Sequence, residues 1–283
     1  MMHREKGVKG MDVSRWQGDI DWKQVAASGI SFAMIRAAYG CNEDIRFRQN
    51  MGGAGKAGLS VGVYLYSLAA SEEEALEEAR FLKELLTPYR LSYPAAYDVE
   101  DRRQQELSRQ ALTDMVLAFC GSMEQAGYLP ALYGSVDWLE NRYDSRIDTL
   151  DLWVAQWGSS LTFRGTAGLW QYSGSGRVPG VPVRADLNLS FRSYPSLVRA
   201  VGGRWQRDSR GWQYRFADGN APREEWIRLE GRWYWFDEEG YAVTGLRIID
   251  GKPYYFAEGS AEQDGFSLKE CQCLITSGSG ALR

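Results

Sequence analysis

With 283 residues, 44% of them hydrophobic and 25% charged, the chain is long enough for one large core or two domains, and its composition excludes disorder throughout. A net charge of -4 leaves no basic footprint for nucleic acid. No apolar run approaches the roughly 20 residues needed to cross a bilayer, and Met1 to Gly10 carries charges without an apolar stretch, so neither a membrane span nor a signal peptide is read.

From Gly10 to about Val198, short apolar runs alternate with helical patterns, the signature of successive β-α units on a mainly parallel sheet. Strands are expected at Gly10 to Val13, Phe32 to Ala37, Val61 to Tyr66, Ala95 to Glu100, Ala131 to Tyr133, Leu152 to Ala155 and Gly168 to Gln171. Seven or eight such units suggest a barrel. Gly29 and Gly58 end short helices. Ser71 with Glu74 forms a capping-box signature opening an acidic helix through about Leu86, with Ala75, Ala79, Leu82 and Leu86 at helical spacing. A second helix starts near Ser108, turns Leu112, Met115, Val116, Phe119 and Met123 inward, and stops at Gly127. Cys120 lies on it and reads as a buried, inert thiol.

After Gly202-Gly203 the text changes to dense aromatics and turns. Phe216, Phe236 and Phe256 close three similar segments, a period of 20 residues that Gly231 and Gly251 share. Each unit reads as a β-hairpin turning at Asp218-Gly219, Glu239-Gly240 or Glu258-Gly259, and stacking of units is needed to bury the rings. The expected organisation is an α/β barrel over 1–200, a hairpin module over 201–267 and a flexible tail over 268–283, where Cys271 and Cys273 lack the partners for a metal site.

The single histidine, His3, sits in the N-terminal tail, so no Ser-His-Asp triad, Cys-His pair or histidine-zinc site can be built. Carboxylates carry the chemistry instead. As a strand, Pro94 to Glu100 places Asp98 and Glu100 on one face with Ala96, while Ala95, Tyr97 and Val99 point the other way. Asp12 ends the first strand and Asp186 lies near the end of the domain, so closing a barrel would bring both to the Asp98/Glu100 pair at one mouth. Tyr64, Tyr66 and Tyr133 are placed to line it, and Trp153, Trp157, Trp170 and Tyr172 cluster around Gln156 and Gln171, aromatic faces suiting sugar rings and amides their hydroxyls. Acid/base catalysis and hard-cation binding both fit four clustered carboxylates, and spacing does not choose between them.

Met11 to Gly18 with Ile20-Asp21-Trp22, Phe32 to Gly40, Ala57 to Ser67, Tyr97 to Glu100, Trp153-Val154-Ala155-Gln156-Trp157, Trp170-Gln171-Tyr172 and Ala185-Asp186-Leu187-Asn188 together resemble the glycoside hydrolase family 25 muramidases, in order, over residues 7 to 195. The resemblance implies an irregular TIM-like (β/α) barrel that cuts the β-1,4 bond between N-acetylmuramic acid and N-acetylglucosamine in peptidoglycan. Position by position it implies Glu100 as general acid, Asp98 as its partner, and Asp12 and Asp186 completing the acidic cleft, with no cofactor or metal. The negative field of the other three carboxylates is expected to raise the proton affinity of Glu100.

The 20-residue units resemble choline-binding-type wall repeats, in which aromatic cages hold quaternary ammonium. Trp226, Trp233 and Tyr241 match that pattern. The next unit departs from it, with Leu246 after Thr244-Gly245 and Pro253 where the pattern prefers tryptophan. The implied partners are bacterial peptidoglycan and choline or another wall component, reached from outside the cell or in the wall after phage-type release or loss of a leader. A non-catalytic glycan-binding barrel is the alternative, opposed by the presence of all four acids.

Overall fold

The computed structural model describes residues 7–256 apart from 202, 217, 218, 230, 231, 250 and 251. His3, Asp218, Gly231, Gly251, Glu258-Gly259, Cys271 and Cys273, with the expected tail, lie outside the described residues, as does the side chain of Trp233. The chain divides into two compact units, one ending at Val198 and the other beginning at Arg199.

The first unit is a closed barrel of eight strands: β1 (Val8–Val13), β2 (Phe32–Tyr39), β4 (Ser60–Tyr66), β5 (Ala95–Asp98), β6 (Pro130–Ser135), β7 (Asp151–Ala155), β8 (Leu169–Gly176) and β9 (Ala185–Ser190). A two-residue strand β3 (Asn42–Glu43) flanks β2. Pairing is parallel from β1 through β2, β4, β5, β6 and β7 to β8. The closing strand β9 is antiparallel to both β8 and β1. No expectation covered β9, because Ala185 to Ser190 mixes Asp186 and Asn188 with leucines and carries no apolar run.

Helices α1 (Trp22–Ala27), α2 (Phe47–Lys56), α3 (Glu72–Leu86), α4 (Arg109–Gln125), α5 (Val136–Asn141) and α6 (Tyr194–Ala200) complete the first unit, α6 running on into the second. Ser71 caps α3 by accepting from the Glu74 amide. The reciprocal bond shifts by one residue, since Glu74 Oε2 accepts from the amide of Ala70 at 2.7 Å. Ser108 caps α4, and Gly127, at φ 86°, follows its last turn in a left-handed conformation that other residues adopt at a cost.

Strand alternation divides the apolar side chains into two layers. The outer one joins Ala95, Tyr97 and Val99 to the helices, with the Tyr97 ring stacked 3.7 Å from that of Phe119 on α4 and Cys120 buried beside it. Phe32 leads the inward face of β2. Its ring stacks on Tyr93 at 4.3 Å, and Tyr93 meets Tyr194 at 5.1 Å, so three rings plug the barrel end opposite the acidic mouth. Gly10 and Gly62 leave the room this requires, a Cβ at Gly10 falling 2.3 Å from the Phe32 ring and one at Gly62 falling 2.6 Å from Met34 Sδ.

The second unit holds three two-stranded antiparallel hairpins: β10 (Arg204–Arg207) with β11 (Trp212–Arg215), β12 (Glu225–Leu229) with β13 (Arg232–Phe236), and β14 (Gly245–Ile249) with β15 (Lys252–Phe256). Each small sheet gains its core from the next. Trp205 reaches Tyr234 and Phe236 of the second hairpin at 5.0 and 5.9 Å, and Trp226 repeats the contact with Tyr254 and Phe256 of the third at 5.0 and 5.6 Å. Leu246, twenty residues after Trp226, is 61% exposed.

Gly10→Ala should destabilise the first unit by roughly 1–3 kcal/mol through overpacking against Phe32, with part of the loss recovered by adding Phe32→Leu. Urea denaturation of the single and double variants measures this coupling; additive losses would show that Gly10 and Phe32 do not compete for the same space.

Candidate active site

Asp12 near the end of β1 lies directly opposite Asp186 on β9 across the antiparallel closure. Buried, it is held by two amides: Gln171 Nε2 donates to Asp12 Oδ2 at 3.0 Å and Asn188 Nδ2 donates to the same oxygen at 2.7 Å. The second ends of those amides are also used. Asn188 Oδ1 accepts from Trp153 Nε1 at 2.8 Å, and Gln171 Oε1 accepts from Tyr133 OH at 3.2 Å and Trp157 Nε1 at 3.1 Å. One network therefore fixes the carboxylate and the aromatic wall together.

Asp98 ends β5 in register with Tyr66 on one side and Tyr133 on the other. It is buried, and its Oδ1 has no hydrogen-bond partner among the described residues. Glu100 lies two residues beyond the strand, exposed in the loop that follows, so the expected continuous strand to Glu100 is corrected. The peptide after Asp98 leaves the ladder for a 3₁₀ turn, Arg102–Glu106, capped by Asp101.

A buried polar network holds that loop from behind. Gln104 Nε2 donates to the carbonyls of Ser67 and Ala69 at 3.2 and 3.0 Å, while its Oε1 accepts from the Asp101 amide at 2.7 Å. The Ser67 amide donates to the Asp98 carbonyl at 2.8 Å. Glu78 of α3 accepts from Ser67 Oγ, the Leu68 amide and Tyr97 OH. Strand alternation sends Tyr97 outward to this carboxylate while Asp98 faces the lumen.

Asp12, Asp98, Glu100 and Asp186 line one cleft of about 250 Å³ together with Tyr64, Tyr66 and Tyr133. Trp153 and Gln171, from the expected aromatic and amide cluster, also line it, as do Trp16, Gln17 and Arg36, which were not singled out for the site from sequence. Trp16 stands 67% exposed on a turn capped by Ser14, with the Arg15 guanidinium 4.6 Å over its ring. Arg36 could have been found as the one cation inside the apolar run Phe32 to Tyr39. It is paired with the buried Asp44 at 2.7 Å.

Trp170 and Gln156 do not line the cleft. Gln171 faces the lumen, so its neighbour Trp170 must face out, where it is fully buried near Phe191 and donates Nε1 to the Gln156 carbonyl at 2.8 Å. The Gln156 side chain is spent on Thr162, donating to Oγ1 at 2.7 Å and accepting from its amide at 2.8 Å. Trp157 is 69% exposed and touches the site only through Gln171. Among the described residues, no group of three or more His, Cys, Asp or Glu could hold a metal ion.

All four carboxyls hold their protons more tightly than usual. Asp12 is pushed up to about 8, by burial first and the Asp186 charge second. Asp186 rises through burial, and its bond with Asp12 works the other way, so the two carboxyls titrate as a pair rather than independently. Asp98 is raised well above its ordinary value by burial, then by Glu100 and Asp12, with Arg36 opposing. Glu100, though exposed, lines the cleft, and the partial loss of solvent there is what raises it. The neighbouring charges expected to lift Glu100 therefore act on Asp98.

In the second unit, Trp226 is half-buried between Trp235 and Tyr254. Tyr241 is buried, its OH donating to Asp208 Oδ2 at 2.6 Å and its ring lying 4.5 Å beneath the Arg210 guanidinium.

The pattern of glycosyl hydrolases family 25 matches residues 11–181, and that of the choline-binding repeat matches 224–263. The chain is 28% identical over 198 residues to Lysozyme M1 of Streptomyces globisporus, covering 64% of this chain and 67% of that protein. It is 28% identical over 183 residues to the autolytic lysozyme of Clostridium acetobutylicum, covering 64% of this chain and 55% of that one. The fold is similar to the modular autolysin LytC from Streptococcus pneumoniae in complex with a synthetic peptidoglycan ligand, with a TM-score of 0.62, 27% identity, and 67% of this chain covered against 48% of the autolysin. The matches thus span from about half to two thirds of these relatives' lengths. A closed barrel with an acidic mouth, matched over most of its length, places the chain in glycosyl hydrolase family 25.

Proposed function

We propose that the protein is a peptidoglycan hydrolase, an N-acetylmuramidase that cleaves the β-1,4 bond between N-acetylmuramic acid and N-acetylglucosamine. The observation that carries the reading is the exposed Glu100 beside a buried Asp98 with an unpartnered oxygen, in one cleft of a chain whose curated relatives are lysozymes. Glu100 serves as the general acid, giving its proton to the glycosidic oxygen as the bond to the anomeric carbon breaks. Its raised proton affinity is in the direction that role requires. The carbonyl oxygen of the substrate's 2-acetamido group attacks the same carbon, and Asp98 stabilises the oxazolinium cation, whose positive charge offsets the burial that otherwise favours the protonated carboxyl. Water then opens the ring with Glu100 as base.

Tyr64, Tyr66, Tyr133 and Trp16 offer apolar faces to the sugars. Burial raises the Tyr64 and Tyr133 hydroxyls well above their ordinary range, so they remain neutral donors. Asp12 and Asp186 complete the acidic mouth around the Asp98/Glu100 pair. The second unit holds the enzyme at the bacterial wall through its repeats, by choline or another wall component, and raises the effective concentration of glycan at the cleft.

Glu100→Gln should lower release of reducing ends from a peptidoglycan suspension by about 10²–10⁴-fold while leaving the melting curve unchanged. Near-wild-type lysis would exclude Glu100 as the acid. Mass spectrometry of the released muropeptides should find muramic acid at the reducing end; glucosamine there would make the enzyme a glucosaminidase.

Asp12 also sets a pH dependence of stability. The unfolded chain loses this proton near pH 3.8, while the fold keeps it to about 8, so between those values the native state binds a proton that the unfolded state has lost and stability falls as pH rises. Asp12→Asn removes the penalty and still accepts from Gln171 and Asn188. Its Tm should exceed that of the wild type at about pH 8, with the gap closing as pH falls towards about 4. A constant offset across that range would show that proton binding is not the cause.

A further inference from the structure

The loop between β8 and β9 encloses a second concavity, of about 550 Å³, with walls of valine and proline between Arg177 and Arg184. The groove is firmly built. Val178 is buried, the Val181 amide donates to the Val178 carbonyl at 3.1 Å, and the Asp21 amide donates to the Gly180 carbonyl at 2.8 Å, pinning the loop to the segment after β1. Gln17, which lines the acidic cleft, donates Nε2 to the Arg184 carbonyl at 3.2 Å, so one hydrogen bond ties a residue of the cleft to a residue of the groove. Arg184 is two residues from Asp186.

The charges of this groove are opposite to those of the cleft. Arg177 and Arg184 are both exposed, and among the described residues no carboxylate lies within ion-pair distance of either; Arg184 donates Nη1 to the Ser175 carbonyl at 2.7 Å. Val183 is 51% exposed. Two free guanidiniums bracketing an apolar wall suit a ligand with carboxylates on an aliphatic stem. No aromatic side chain lines the groove, which disfavours a sugar, and a small inorganic anion would leave the valines and prolines uncovered.

We propose that this groove binds the carboxylate-bearing stem peptide of the glycan strand whose sugars occupy the neighbouring cleft. The proposal rests on the muramidase reading, since it is the muramic acid that carries the peptide. Each glycan bound in the cleft then presents its peptide to Arg177 and Arg184, and the enzyme distinguishes substituted from bare strands through KM. The guanidiniums take no part in bond breaking, so kcat is set in the cleft.

The test compares the full-length wild type with Arg177→Gln/Arg184→Gln, and with Arg177→Gln alone because that side chain makes no bond within the protein that folding would need. Both act on glycan bearing stem peptides and on the same glycan stripped of them by an amidase. The double variant should raise KM about tenfold on the substituted strand, leave KM on the stripped strand and kcat on both within about twofold, and the single variant should fall between. Isothermal titration with the free stem peptide should show binding to the wild type that weakens by the same factor in the double variant. Equal KM for wild type and variant on the substituted strand, or an equal rise on both strands, overturns the proposal, as does peptide binding that ignores the substitutions. Absence of cleavage on either strand by the wild type removes the muramidase reading instead, while the titration still reports on the groove.

Discussion

Antiparallel closure of β9 against β1 is the constraint on which the site depends. A parallel strand there would enter the ring from the other end and carry Asp186 in a different register; running backwards, β9 sets Asp186 opposite Asp12 and Asn188 opposite Gly10. The same strand pairs Asn188 with Gln171 on β8, and those two amides converge on Asp12 Oδ2. Closing the barrel and assembling the acidic mouth are therefore one event. The cost is the burial of carboxyls that would ionise freely in water, and that burial raises their hold on protons, with Arg36 opposing it at Asp98.

The two ends of the barrel solve opposite problems. At one end Phe32, Tyr93 and Tyr194 stack into a dry plug, and Gly10 and Gly62 stay without side chains so that it fits. At the other end tyrosines alternate with acids around the ring, in the register Tyr66, Asp98, Tyr133, Trp153. Outside the barrel, Glu78 and Gln104 use buried hydrogen bonds to hold the segment that carries Glu100. Glu100 itself remains exposed, as a group that must reach a ligand requires.

The second unit applies a different economy. Each hairpin is too small to bury its own rings, and the recurrence of the Trp205 contacts at Trp226 shows the core being made between neighbours. Trp226 and Tyr241 are drawn into that packing, the latter beneath Arg210, a cation from its own chain. The aromatic content that suggested ligand cages is at least partly structural.

The sequence by itself determined the elements whose signals are local: the capped helices after Ser71 and Ser108, the apolar parallel strands, the 20-residue repeat, and the four acids, since an acid at a strand end is conspicuous in any register. Only the tertiary structure decided which neighbours of those acids reach the cleft. Trp170 and Gln171 are adjacent in the chain and equally plausible as sugar ligands, yet alternation turns one into the core and the other onto Asp12. Trp16 and the β9 strand were likewise invisible as parts of a site, because what gives each its place is a partner far along the chain: the common cleft for Trp16, and β1 for β9. Spacing records the face of a strand; the closure of the ring chooses what that face meets.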